Sequence, residues 1–195
     1  ERKDFFSRGL PDVYSQEYLN IPIDESVSYF KKHDFTALNG EDKKVNLRYY
    51  IAADLAISEK ETADYTVFIV AGIDENKVIH IKNVIRDRLD GREIVDTIIS
   101  LQRIYAPEIF GIEEMQVSKA IGPFLYEQMI QQNTYPSLVQ MKHMGQDKLT
   151  RSRSIQARMR AGSVKFDKDG DWYTAFEDEC MKFPRDRNDD QVDAF

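Results

Sequence analysis

The sequence predicts an α/β domain in which one mixed sheet of at least five strands carries helices on both faces. Two observations support this prediction. The first is a series of three apolar, strand-like segments separated by short polar connections, which is typical of an antiparallel meander. The second is the alternation of helical and strand-like segments that follows, which indicates a sheet covered by helices. With 195 residues, of which 42% are hydrophobic, the chain can bury one substantial core.

The meander is predicted from three runs rich in β-branched and aromatic residues. The first run, residues 47–55, has no helical period and therefore indicates a buried strand. A polar connection follows at residues 58–64. The second and third runs, at residues 65–71 and 77–85, are separated by an acidic and amide-containing stretch at residues 74–76, a composition typical of turns.

Helices and strands then alternate. Apolar residues recur at helical spacing over residues 91–105, and Pro107 lies just beyond the end of this segment. A second amphipathic helix is predicted over residues 119–132. Each of the two helices is followed by a short strand, at residues 109–113 and 138–141.

Three more helices are predicted in the last part of the chain. A basic helix over residues 150–161 is ended by a glycine. A short hairpin is predicted at residues 164–166 with the Asp-Gly turn after it. A helix over residues 172–181 is ended by Pro184, and a final helix is expected to begin at Asp189.

Charge and composition exclude several classes of protein. The net charge of −7 argues against a cationic protein that coats DNA. The longest apolar runs have only the length of strands, so no segment is expected to span a membrane. The single cysteine, Cys180, excludes an internal disulfide framework and fits a reducing compartment. Positive charge is nevertheless concentrated locally, since residues 142–160 hold six Lys or Arg and one acid.

Carboxylates occur at three places where a strand ends or a helix begins. They are Asp54, Glu113 and the cluster of Asp189, Asp190 and Asp193. An ionised carboxylate beside an apolar strand is costly unless a cation or a metal binds it. If the first and fourth strands are adjacent and parallel, Asp54 and Glu113 lie at the same edge of the sheet. Oxygen ligands of this kind suit Mg²⁺ or Mn²⁺, and two such ions can hydrolyse a phosphodiester.

Each acid also has a purely structural interpretation. An Asp at the end of a strand often forms a turn, and an Asp at the start of a helix often caps it. Glu114 replaces Glu113 at the site if the strand register shifts by one residue. Asp190 and Asp193 are three residues apart and share a helical face. Asp189, Asp190 and Asp193 cannot all be direct ligands, and Asp190 is favoured, with Asp193 next.

The basic helix is a candidate phosphate-binding surface. Its predicted DNA contacts are Lys148, Arg151, Arg153 and Arg158, and the alternative is an ordinary solvated helix face. Other metal motifs are disfavoured. The three histidines lie near no cysteine, which argues against zinc. Counted from Asp167, a calcium-binding loop would need Gly at its sixth position and Glu at its twelfth, where the chain has Trp172 and Asp178.

Residues 47–195 resemble the nuclease domain of bacteriophage terminase large subunits, which has an RNase H-like fold. The resemblance is carried by Ile51-Ala-Ala-Asp54, Ala63-Asp64-Tyr-Thr66, Gly111-Ile-Glu113, Lys148-Leu-Thr-Arg151 and the tail from Phe183-Pro184 to Asp189-Asp190-Gln-Val-Asp193-Ala194. Residues 1–46 look like the segment that joins the family's ATPase motor to its nuclease, most clearly at residues 15–22. We therefore expect a lead-in at residues 1–46 and a nuclease domain at residues 47–195.

The resemblance implies a metal-dependent endonuclease that cuts concatemeric double-stranded DNA during genome packaging, in the cytoplasm of the infected bacterial cell. It implies two ions, Mg²⁺ or Mn²⁺, held by Asp54, Glu113 and an acid of the 189–193 cluster. The expected partners are the ATPase domain of the same full-length chain, the portal and the small terminase subunit, with no membrane involved. The chain has no G-x-x-x-x-G-K-S/T stretch, so no ATPase activity is expected from it.

Two alternatives remain open at this stage. One is a Holliday-junction resolvase or transposase-type nuclease with the same fold. The other is a non-catalytic docking module of the packaging machine, in which the acids only cap helices. We expect a monomer.

Overall fold

The computed structural model describes residues 28–56, 65–112, 115–141, 148–184 and 190–195. The strands are β1 (Thr36–Ala37), β2 (Arg48–Asp54), β3 (Thr66–Ile73), β4 (Ile79–Asp87), β5 (Ile109–Ile112), β6 (Leu138–Gln140) and β7 (Val164–Phe166). The helices are α1 (Gly91–Tyr105), α2 (Met115–Gln131), α3 (Lys148–Arg160), α4 (Tyr173–Lys182) and α5 (Asp190–Ala194). Within these ranges, no helix combines the length and apolarity that a membrane span requires.

In the described part of the chain, seven strands form one mixed sheet in the order β1-β7-β4-β3-β2-β5-β6. Strands β2, β3 and β4 pair antiparallel, which confirms the predicted meander. Strand β5 pairs parallel with β2, and β6 pairs parallel with β5. The first and fourth predicted strands are therefore adjacent and parallel. The predicted polar connection at residues 58–64 lies outside the described residues.

The predicted hairpin at residues 164–166 is wrong. Val164–Phe166 is a strand that pairs parallel with both β4 and β1. The chain after the following turn enters helix α4, so it supplies no second hairpin strand. The partners come instead from distant segments: the amide of Ile79 donates to Ser163 O at 2.9 Å, and the amide of Leu38 donates to Phe166 O at 2.9 Å.

The two faces of the sheet bury separate cores, which confirms the prediction of helices on both faces. Strand β3 shows the alternation directly. Val67 and Ile69 pack with α3, α4 and α5, whereas Phe68 and Val70 pack with α1 and α2. Because successive side chains of a strand point to opposite faces, one largely apolar strand supplies both cores.

The described part of the predicted lead-in packs on this domain. Phe30 and Phe35 are buried in the core beneath α4 and α5, at 0% and 3% exposure. The ring centroid of Phe30 lies 6.0 Å from that of Phe183. The Tyr29 hydroxyl donates to Leu149 O at 3.2 Å. The division of the chain at residue 46 remains a prediction, and residues 1–27 lie outside the described residues.

Candidate metal centre and nucleic-acid interface

Strands β2 and β5 end together at one edge of the sheet. Their parallel pairing places Ala53 opposite Ile112, and Asp54 is the last residue of β2. The Asp54 side chain is half-buried there. Glu113 and Glu114 follow β5 in the sequence and lie outside the described residues, so the choice between them remains a prediction. The predicted meeting of the two strand ends is confirmed.

Helix α5 carries two further predicted ligands and packs against two strands that reach this edge of the sheet. It packs against β2 and β3, with Val192 and Ala194 buried in the core. Asp190 and Asp193 are half-buried and lie three residues apart, on one side of the helix. Asp189, the predicted start of the helix, lies outside the described residues.

Asp193 joins the predicted metal ligands to the predicted phosphate-binding helix. Its Oδ2 atom lies 2.7 Å from Lys148 Nζ, and its Oδ1 atom accepts a hydrogen bond from Arg151 Nη2 at 3.2 Å. The carboxylate is 15% exposed and Arg151 is 24% exposed, whereas Lys148 is more open at 46%. The structure therefore brings together three residues that the sequence suggested for two separate roles.

The other two predicted DNA contacts are exposed on α3 but occupy different sides of it. Arg158 follows Arg151 by seven residues, or two helical turns, and so shares its side. Arg153 follows Arg151 by two residues, and residues at that spacing do not face each other. The structure therefore brings Lys148 and Arg151 to the acidic helix, and only Arg158 extends the same side.

Two arginines at the end of β4 lie at the same edge of the sheet as Asp54: Arg86 is in the strand and Arg88 follows it. The register pairs Asp54 with Val67 across β2 and β3, and Val67 with Arg86 across β3 and β4. The guanidinium groups of Arg86 and Arg88 lie 3.7 and 4.4 Å from the ring centroid of Tyr65. Positive charge is thus stacked on an aromatic ring beside the strand ends.

A buried polar network, which the sequence reasoning missed, holds the start of α5. Glu179 on α4 accepts hydrogen bonds from the backbone amide and from the side-chain amide of Gln191, at 2.7 and 2.6 Å. Arg86 Nε lies 3.4 Å from Glu179 Oε2. Burial, and to a smaller extent the charge of Asp190, raises the pKa of Glu179 above its ordinary value, although Gln191 and Arg86 favour the ionised form.

One signal in the sequence could have revealed Glu179. The predicted apolar face of its helix includes Phe176 and Cys180, and Glu179 lies three residues after the first of them, on the same face. An acid on a buried helix face requires a partner. The sequence does not identify that partner, since Gln191 is twelve residues away and Arg86 lies on a distant strand.

The full predicted ligand set is not covered by the described residues. Among those residues, no three His, Cys, Asp or Glu side chains are grouped closely enough to hold a metal ion. Two of the predicted ligands, Glu113 and Asp189, lie outside them. The assignment of Asp54, Glu113 and Asp190 as metal ligands therefore remains a prediction.

A family model described as the terminase RNaseH-like domain matches residues 51–195. This range runs from the middle of β2 to α5 and includes every predicted site residue. Comparison with curated proteins gives no significant match.

Solved structures with the same fold include phage terminase nucleases. The nuclease domain of the large terminase subunit gp2 of bacterial virus Sf6 is 11% identical, with 77% of this chain and 87% of that chain covered and a TM-score of 0.56. The large terminase nuclease of thermophilic phage G20c with bound magnesium is 18% identical, with coverage of 76% and 78% and a TM-score of 0.54. The same nuclease with bound zinc is 20% identical, with coverage of 76% and 78% and a TM-score of 0.51. At these identities, the likeness shows a shared RNase H-like fold.

Proposed function

Because the chain belongs to the terminase RNaseH-like domain family, we propose that it is an endonuclease that cleaves double-stranded DNA with the help of divalent metal ions. One observation of the structure supports this proposal above the others. Strands β2 and β5 end side by side, and helix α5 packs against β2. The three elements that carry the predicted acids are thus neighbours in space, although they are distant in the sequence.

The residue types proposed for this site fit hard metal ions. Asp54, Asp190 and Asp193 supply carboxylate oxygens at half-buried positions, and Glu113 follows β5 in the sequence. Carboxylate oxygens with water are the ligands that Mg²⁺ and Mn²⁺ prefer. We assign Asp54, Glu113 and Asp190 as the residues that would hold two such ions. Ions bound there would lower the pKa of a water molecule and neutralise charge on the scissile phosphate.

Lys148 and Arg151 would bind the phosphate backbone of the DNA. Both already contact Asp193 in the structure. An arginine has five N–H donors and a lysine has three, so both residues can bind a phosphate while they hold the carboxylate. Phosphate contacts position a protein on DNA without reading its sequence, which suits an enzyme that cuts concatemers.

The proposal places the domain in the cytoplasm of an infected bacterial cell. Its proposed partners are the ATPase domain of the same full-length chain, the portal and the small terminase subunit. The membership in the terminase family supports this context. Each of these contacts requires its own binding experiment.

Plasmid cleavage tests the proposal. We expect Mn²⁺- or Mg²⁺-dependent nicking and linearisation by the wild type and a loss greater than about 100-fold in Asp54→Ala, since even residues that only support metal ligands are worth about 10–100-fold. Asp178→Ala is the matched control, because that side chain is 59% exposed and pairs with Lys182 on the surface of α4. Equal cleavage by wild type and Asp54→Ala, with both proteins folded, would show a contaminating nuclease and contradict the proposal.

A further inference from the structure

We propose that Glu179 is a positioning residue that fixes helix α5, and with it Asp190 and Asp193, relative to the sheet edge that carries Asp54. The inference rests on the proposed function, because the acids it positions are the proposed metal ligands. Glu179 itself lies in the core face of α4 and is 7% exposed.

The first step of the argument is the contact between Glu179 and Gln191. One carboxylate oxygen of Glu179 accepts the backbone amide of Gln191 at 2.7 Å, and the other accepts its side-chain amide at 2.6 Å. Gln191 is 2% exposed and is the second residue of α5. Amides in the first turn of a helix have no acceptor within the helix. Glu179 supplies that acceptor from another element, and both of its oxygens are engaged.

The second step is the contact between Glu179 and the sheet. Arg86 Nε lies 3.4 Å from Glu179 Oε2, and no hydrogen-bond acceptor meets this nitrogen among the described residues. The contact is therefore one of charge rather than an aligned hydrogen bond. Arg86 lies in register with Val67, which lies in register with Asp54. Glu179 thus connects the start of α5 to the row of cross-strand neighbours Arg86, Val67 and Asp54.

The third step is energetic. A buried ion pair is weak evidence for stability, since apolar residues of similar volume often serve as well or better. Here burial and the neighbouring Asp190 both oppose the ionised carboxylate. Apolar packing of Val192 and Ala194 is not directional, so it leaves the rotation of a five-residue helix poorly defined. The two directional hydrogen bonds to Gln191 define that rotation at the start of the helix, where Asp190 lies, and the contacts of Asp193 with Lys148 and Arg151 act at its other end.

The test is the Mn²⁺ dependence of plasmid cleavage. Removal of a group that orients a metal ligand typically costs about 10–100-fold in metal affinity. We expect Glu179→Ala to raise the half-saturating Mn²⁺ concentration by at least about tenfold. In Glu179→Gln the increase should be about threefold or less, because the carboxamide keeps an oxygen for the Gln191 amide and the Gln191 side chain can rotate.

Two controls separate positioning from general destabilisation. Asp178→Ala removes the neighbouring acid of α4, which is exposed, and should leave half-saturation unchanged. Ile99→Ala creates a cavity on the opposite face of the sheet. It should lower the melting temperature and leave half-saturation unchanged. A folded Glu179→Ala protein that half-saturates at the wild-type concentration would overturn the inference.

If Glu179→Ala does not fold, the Gln191→Met variant tests the inference instead. It removes the side-chain hydrogen bond and keeps the backbone one, so we expect about a threefold increase in half-saturation. Wild-type half-saturation in folded Gln191→Met would then overturn the inference. Failure of this inference can be told apart from failure of the proposed function. If only the inference fails, the wild type cleaves and Asp54→Ala does not. If the proposed function fails, the wild type neither cleaves nor binds Mn²⁺ in calorimetry, and both proposals are overturned.

Discussion

The two faces of the sheet are built from different kinds of contact. The face covered by α1 and α2 is held by aliphatic side chains and Phe residues, and five positions of α1 are buried: Ile94, Val95, Ile98, Ile99 and Leu101. The face covered by α3, α4 and α5 has an aromatic core together with buried or half-buried charges. Those that hold α5 are Glu179 with Arg86 at its start, and Asp193 with its two cations.

We infer that one face mainly stabilises the fold, whereas the other fixes the orientation of the proposed ligands. Apolar burial is non-directional. The contacts of α1 can therefore stabilise the sheet without setting the orientation of individual side chains. Charged and hydrogen-bonded contacts are directional and costly to bury, so their concentration at α5 indicates a region where orientation matters. The α1 face supports the sheet, and the α5 face orients the proposed site.

The largest expected effect is a truncation in the apolar face. Ile98 is completely buried, and Ile98→Ala should reduce the free energy of unfolding by about 2–5 kcal/mol, measured by urea denaturation. The half-saturating Mn²⁺ concentration for cleavage should not change. Ile104→Ala, on the same helix at 70% exposure, should stay within about 0.5 kcal/mol of the wild type. A shift in metal half-saturation for folded Ile98→Ala would break the division between the two faces.

A smaller loss is expected on the polar face. Asp193→Asn removes the charge that Lys148 and Arg151 contact at 2.7 and 3.2 Å, so we expect about 1–2 kcal/mol less stability. Because the pairs are partly exposed, the difference from wild type should shrink as salt is raised from low to high concentration. Urea denaturation at two ionic strengths measures it. A difference that does not depend on salt would mean that hydrogen bonding, not net charge, holds Asp193.

Local signals account for what could be predicted from the sequence. Helix α1 has the predicted bounds, because Asp90 caps it by accepting the amides of Arg92 and Glu93 and apolar residues recur at helical spacing. Strands β2 to β4 are consecutive and apolar, so their pairing follows from short connections. The position of Asp54 at a strand end was predictable for the same reason.

Contacts between distant residues account for what could not be predicted. The Arg151–Asp193 contact joins residues 42 positions apart. Strand β7 takes its partners from distant segments, so a short strand-like segment before a turn resembled half of a hairpin. Glu179 was visible only as an acid on an apolar helix face. Burial and charge create the need for a partner, but only the fold decides which partner meets it.

A buried polar pair at the opposite edge of the sheet sharpens the comparison with Glu179. Asp74 follows β3 at the end where Ile73 pairs with Arg48, the first residue of β2, and is therefore far along the strands from Asp54. It accepts the Val78 amide at 2.9 Å and contacts His80 Nε2 at 3.2 Å. We expect this pair to affect stability but not metal binding.

The smallest effect, and one that depends on pH, is expected for Asp74→Asn. Burial opposes ionisation of Asp74, but hydrogen bonds from Val78 and His80 outweigh it, so the pKa of Asp74 lies below its ordinary value of 3.8. A carboxylate whose pKa is lower in the folded state stabilises that state fully above the unfolded pKa. This contribution is lost as the pH falls through the folded pKa. The stability difference between wild type and Asp74→Asn should therefore shrink as the pH falls from about 4 to about 3.

Urea denaturation across that range measures the difference, with Mn²⁺ half-saturation measured on the same proteins at pH 7. An unchanged half-saturation in Asp74→Asn, beside a raised one in Glu179→Ala, would show that a buried carboxylate affects the proposed site through its position and not merely through its burial. A rise in both would mean that any buried polar pair of this sheet supports metal binding through stability alone. The contrast between the two edges would then disappear, and with it the special role of the α5 face.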